Sequence, residues 1–166
     1  MQLLKRYILI GIIFVLMTGT LSHFVYNLSG RNNFIGFFFP INESTWEHMK
    51  LIYFPMTLYA LFVIPKLRNE YPCITSALLY SILIGTFAIP VFFYTYTGIL
   101  GQNYPALDIA TFAVSVLSAF YSAYKLTVSC QADTQKRFLF FVVLLLGICF
   151  VIFTYYPPNL GLFSEP

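Results

Sequence analysis

Charge is what this chain has least of. Asp, Glu, Lys and Arg make up 9% of its 166 residues, against roughly 25% in an ordinary soluble domain. With 59% hydrophobic and 20% aromatic residues, that scarcity excludes a surface built for water and fits a chain built for lipid. Cysteine is scarce as well: the three present form no C-x-x-C pair, and no H-E-x-x-H string occurs, so the established zinc signatures are missing. Long polar connections are absent too, which leaves no room for a separate soluble domain. There is no basic helix and no aromatic ladder, so the net charge of +3 does not describe a nucleic-acid partner.

What the chain does have is five apolar stretches that reach or approach the roughly 20 residues an α-helix needs to cross a bilayer. They run over about 7–26, 47–65, 73–97, 106–127 and 138–156. The expected fold is therefore an all-α, five-transmembrane-helix bundle forming one domain over residues 1–166. The first stretch follows Lys5 and Arg6 and superficially resembles a secretory signal, whose apolar region is usually about 7 to 15 residues long. Here the run from Tyr7 to Tyr26 is longer, and Leu21-Ser22-His23-Phe24 is a poor cleavage context, so it reads as a retained helix. The connection at 27–46 contains Phe34-Ile35-Gly36-Phe37-Phe38-Phe39, too short to span and suited to the interface.

Basic residues accumulate on the cytoplasmic side of short loops. With the N-terminus inside, Lys5, Arg6, Lys66, Arg68, Lys125, Lys136 and Arg137 all lie inside, leaving Arg31 and Lys50 outside. The C-terminus is then outside. The same residues serve as depth markers: His23 lies 17 residues beyond Arg6, His48 lies 18 before Lys66, and Asp108 lies 17 before Lys125. At a rise of about 1.5 Å per residue, each sits about 25 to 27 Å from its inner marker. Three helices thus deliver an ionisable group to one level near the outer edge of the hydrocarbon, and Tyr155 reaches the same height on the fifth. Such groups are costly near lipid and generally persist where they face a cavity, pair, or do chemistry.

The most distinctive string is Asn42-Glu43-Ser44-Thr45-Trp46-Glu47-His48-Met49-Lys50. Ser44 through Glu47 matches the S-x-x-E capping box, and Trp46 suits an interfacial anchor. Those structural readings leave Glu43, His48 and Lys50 unexplained. On a continuous helix Glu43, Glu47 and Lys50 share one face, while Ser44 and His48 share a face about 100° away. His48 then meets groups on other helices, with His23 and Asp108 as the expected partners. Two histidines and a carboxylate suit zinc or iron with a position left for water. Without a metal, His48 and Asp108 form a general base and its orienter. Each residue also has a plain structural role: His23 as a hydrogen-bonded helix-end residue, Asp108 as a first-turn acid favoured by the helix dipole. The tail at 155–163 and the hydroxyls of Tyr94-Thr95-Tyr96-Thr97 add aromatic and polar groups to the same outer side.

Ser22-His23-Phe24-Val25-Tyr26, the Asn-Glu-Ser-x-Trp-Glu-His segment at 42–48 and the closing Tyr156-Pro157-Pro158 resemble a family of small bacterial integral membrane proteins, mostly from Firmicutes, catalogued as a domain of unknown function. That resemblance implies a multi-pass plasma-membrane protein and implies no activity. Two classes of function remain. In the first, an outward-facing site hydrolyses or transfers an acyl group of membrane lipid or a lipid-linked substrate. His48 is then general base or metal ligand, His23 and Asp108 are ligands or orienters, and Glu43 or Glu47 carries the proton. Lys50 binds an anion, with Ser44, Trp46 and Tyr96 as further substrate contacts. In the second, the protein is a non-enzymatic ion-binding, transport or accessory subunit. No ionisable residue lies near the expected midplane and no internal repeat is present, which disfavours an ordinary transporter, although a homo-oligomer offers a pathway between chains.

Overall fold

A computed structural model of the chain describes residues 1–131 and 133–165. Five long helices dominate: α1 (Gln2–Leu28), α3 (Thr45–Leu67), α4 (Ile74–Leu100), α5 (Pro105–Ser129) and α6 (Lys136–Tyr155), with a short α2 (Asn33–Gly36) in the first connection. No strand occurs among the described residues. All five are long and apolar enough to cross a membrane. Each expected span is present, and most extend by two to five residues at an end where the polar flank continues the helix instead of breaking it. Lys5 and Arg6, for example, lie inside α1.

The third helix is the axis of the bundle. Of its most apolar window 56% is buried, against 17% for α1 and 22% for α6, so α1 and α6 present most of their surface to the surroundings. Helix α3 packs on α1, α4 and α6, and α5 closes the far side against α4 and α1. Lipid gives apolar helices no hydrophobic reason to associate, so contact depends on close backbones and interhelical hydrogen bonds. Both are present. The Tyr53 hydroxyl donates to the Val143 carbonyl at 2.6 Å, tying α3 to α6, and the Tyr59 hydroxyl donates to the Tyr7 carbonyl, tying α3 to α1. Gly147 makes the first possible: a Cβ there would stand 2.5 Å from the Tyr53 hydroxyl oxygen. Pro55 and Pro65 lie within α3, and Pro90 within α4.

At one end of the bundle Cys73 and Cys130 are bridged, with Cα atoms 5.3 Å apart, joining the α3–α4 connection to the end of α5. The sequence offered no signal for this pairing, which spans 57 residues. Cys149 is free and partly buried. At the other end lies a buried ion pair. Lys50 and Glu47, 1% and 2% exposed, meet at 2.8 Å. The Lys50 ammonium also donates to the Gly36 carbonyl at 3.0 Å and to the Thr154 hydroxyl. Glu47 Oε2 accepts the Ile41 backbone N–H at 3.0 Å, and its Oε1 lies 3.2 Å from the Thr154 hydroxyl. The network fixes the first connection to α3 and α6 at once.

Removing one member of a fully buried ion pair typically costs about 3–5 kcal/mol, because the other charge is left unpaired. Lys50→Met should therefore unfold far more readily than wild type in detergent, with the Glu47→Gln/Lys50→Met double variant recovering most of the loss. A single variant as stable as wild type would show that the pair is not holding the connection.

Candidate functional site

The helix α3 begins later than an uninterrupted pattern requires. Ser44 is its N-cap, in extended conformation, and its hydroxyl accepts the Glu47 N–H at 3.4 Å. The other half of the expected capping box is absent: the Glu47 carboxylate is taken by Lys50 and Ile41, and Asn42 Oδ1 accepts the Ser44 N–H instead, at 3.0 Å. Glu43 thus lies before the helix. It does not share a helical stripe with Glu47 and Lys50, and it turns toward α1.

There it meets both histidines. Glu43 Oε2 lies 3.3 Å from His23 Nε2 and 3.3 Å from His48 Nε2. The two imidazoles have ring centroids 5.5 Å apart, and one ligand atom from each of the three residues lies within 4.8 Å of the others. The side chains of His23 and His48 are 33% and 28% exposed, and that of Glu43 is 62% exposed, so the cluster is open to an incoming group.

The partners of His48 fix where its ring proton lies. His48 Nδ1 is 3.0 Å from the Ser44 carbonyl, which can only accept, so Nδ1 carries a proton. Neutral His48 then presents a lone pair at Nε2, directly toward a carboxylate oxygen that also has only lone pairs to offer. The contact is repulsive unless a second proton or a cation lies between them. A backbone carbonyl accepting from one ring nitrogen is also the usual support of a histidine whose other nitrogen binds a metal. Metal bonds of 2.0–2.1 Å at a tetrahedral ion put neighbouring ligand atoms about 3.3 to 3.4 Å apart, whereas an octahedral ion with similar bonds needs about 2.9 to 3.0 Å. The two 3.3 Å separations match the tetrahedral spacing, and zinc prefers that geometry.

The cluster forms part of the rim of a cavity of about 650 Å³ between α1, α3, α4 and α5. Asp108, in the first turn of α5, lines the same cavity and accepts a hydrogen bond from the Tyr96 hydroxyl of α4. Below this level the walls are mainly apolar: Leu51, Ile89, Phe93 and Phe112. The tail returns to this end. Phe163 packs on Trp46 with centroids 4.8 Å apart, and Glu165 lines the cavity.

The structure therefore brings His23, Glu43 and His48 together, with Asp108 and its partner Tyr96 on the same cavity. Asp108 stands outside the three-residue cluster, where Glu43 takes the position expected for it. Glu47 and Lys50 sit behind the site, their polar atoms consumed by each other and by the first connection, so neither is free to carry a proton or bind an anion. Ser44 is a buried cap. Trp46 is 6% exposed, packed among Phe150, Phe153 and Phe163 and not at the open surface. Tyr155, expected at the same height, donates to the Asn33 carbonyl at 2.7 Å and braces α2. Glu165 is a single acid in the tail, and no motif or helical spacing marks it in the sequence.

The chain belongs to a family of unknown function, DUF6512, whose family model matches residues 1–166. Neither the curated proteins nor the solved structures yield a match.

The position of the His48 ring proton makes a spectroscopic prediction. In metal-free protein, long-range nitrogen–proton NMR of labelled histidine should show His48 protonated at Nδ1. A neutral His48 carrying its proton on Nε2 alone would contradict the arrangement.

Proposed function

We propose that this DUF6512 membrane protein is a zinc-dependent hydrolase of acyl lipids, with His23, Glu43 and His48 as the metal ligands and Asp108 as the proton-transferring group. The observation that carries the reading is the meeting of three ligand atoms within 4.8 Å of one another, both imidazole nitrogens 3.3 Å from one Glu43 oxygen, on a mainly apolar cavity. His23, Glu43 and His48 would hold the zinc, which would supply an activated water and polarise the acyl carbonyl. In the hydrolysis, the water oxygen bonds to the acyl carbon, the bond from that carbon to its alcohol or amine breaks, and Asp108 passes the water's proton to the leaving group. Tyr96 holds the Asp108 carboxylate in place through its hydroxyl, so Tyr96 is a positioning residue.

Metal analysis of protein purified without a polyhistidine tag tests the ligand set. Wild type and Asp108→Ala should carry stoichiometric zinc, and His23→Ala, Glu43→Ala and His48→Ala should lose it. Retention by all three ligand variants would overturn the assignment. Mass spectrometry of lipid extract incubated with zinc-loaded protein tests the reaction. Free fatty acid should appear, and Asp108→Asn should slow its release by roughly 10²–10⁴-fold, the usual worth of a general acid–base group. Zinc without any acyl release would favour an ion-binding or accessory subunit.

The positive-inside bias supports an N-terminus in the cytoplasm and the site facing outward; the membrane proposed is the plasma membrane. That orientation puts Cys73 and Cys130 on the cytoplasmic side, where thiols are kept reduced, so in the cell the pair is expected as two adjacent thiols that bridge on oxidation. Alkylation in intact cells before lysis should then capture both thiols. Recovery of only the bridged form would reverse the orientation.

A further inference from the structure

The cavity has a wall on the bilayer side and a floor that one ring defines. Phe24 of α1 and Ile109 of α5 both line it, yet they are 55% and 69% exposed. An apolar side chain that both lines a cavity and stays mostly exposed stands at its opening. Each is adjacent in sequence to a polar group of the site, Phe24 to His23 and Ile109 to Asp108, so the opening lies at the level of the chemistry. In a membrane-spanning bundle, what surrounds an opening flanked by α1 and α5 is lipid.

The floor lies about one helical turn further in. Gly19 of α1 sits one turn before His23, Leu51 of α3 follows His48 by three residues, and Phe112 of α5 follows Asp108 by four. A Cβ on Gly19 would stand 2.5 Å from the tip of the Phe112 ring and 2.6 Å from the Leu51 carbonyl oxygen. The three helices therefore close on one another at this point, with the Phe112 ring laid against the bare backbone of α1. Ile89, 4% exposed, contributes from α4. Between the polar rim and this floor there is a depth of about one turn, about 5 to 6 Å.

We infer that the cavity admits an acyl chain of a membrane amphiphile from the bilayer, between Phe24 and Ile109, and that Phe112 resting on Gly19 sets the chain length it accepts. The inference rests on the reading of the rim as the place where the acyl head is held. The bilayer solvates a hydrocarbon chain as well as an apolar cavity does, so fit, not hydrophobicity, sets the preference. Two substitutions move the floor in opposite directions. Phe112→Ala removes the ring and deepens the cavity. Gly19→Ala pushes the ring off α1 toward the space above it and also forces α1 away from the Leu51 carbonyl of α3, so it is read beside the Phe112 variants.

The test is binding of n-alkyl hydroxamates of short, medium and long chain, with n-alkyl carboxylates of the same lengths, to zinc-loaded protein in lipid nanodiscs. Wild type should prefer one length. Phe112→Ala should raise affinity for the long chain relative to the preferred one by about tenfold or more, and Gly19→Ala should shift the preference to shorter chains. Should Gly19→Ala fail to fold, Phe112→Ala and Phe112→Leu carry the test alone. An unchanged length profile in the Phe112 variants overturns the inference, whatever the metal does. The metal reading fails separately: hydroxamates and carboxylates would then bind alike and His48→Ala would alter neither, while the Phe112 shift in length persisted and upheld the chain-binding inference.

Discussion

The ion pair between Lys50 and Glu47 is the constraint from which the arrangement of this end of the molecule follows. Both side chains are buried, and an unpaired charge there is strongly unfavourable, so the pair persists only while its remaining hydrogen-bonding capacity is used. Lys50 fills its three donors with Glu47, the Gly36 carbonyl and the Thr154 hydroxyl. Glu47 adds the Ile41 N–H. Residues 36 and 41 are thereby anchored to the start of α3, and the chain between them has little freedom. Asn42 Oδ1 then accepts the Ser44 N–H, and Glu43 is left projecting toward His48 and His23 together.

A structural pair thus positions a chemical cluster without joining it. Glu47 neutralises Lys50, so the positive charge behind the site does not repel a cation in front of it. Glu43, the carboxylate that remains unneutralised by lysine, is the one that faces the histidines. The Ser44 carbonyl orients His48 through Nδ1, and Tyr96 orients Asp108 from a different helix. Four separate segments, α1, the turn before α3, α3 itself and α5, supply His23, Glu43, His48 and Asp108. The connection between α1 and α3 is held on its inner side by the ion pair and by Tyr155. These ties give the site a rigid base, while the apolar walls beneath exclude water.

Much of this was legible in the sequence. The five spans follow from hydropathy and length, and the level of His23, His48 and Asp108 follows from counting rises between charged markers. Both depend on helical periodicity, which is local. The position of Glu43 did not follow, because helical spacing places it beside Glu47, and only the competition of Lys50 and Ile41 for Glu47 ends that pattern at Ser44. Lys50 looked like an anion-binding group because its three acceptors come from residues 36, 47 and 154, two of them far from it in sequence. The Cys73–Cys130 bridge and the floor made by Phe112 on Gly19 were illegible for the same reason: each is a contact between elements whose order around the bundle hydropathy does not encode.

The central claim is that His23, Glu43 and His48 hold one metal ion. X-ray absorption at the zinc edge of the loaded protein addresses it most directly, since it reports the identity and distance of the bound atoms. The account predicts a nitrogen and oxygen shell at about 2.0–2.1 Å with the outer scattering of two imidazoles. A sulfur shell at about 2.3 Å, or a spectrum without imidazole scattering, would contradict it.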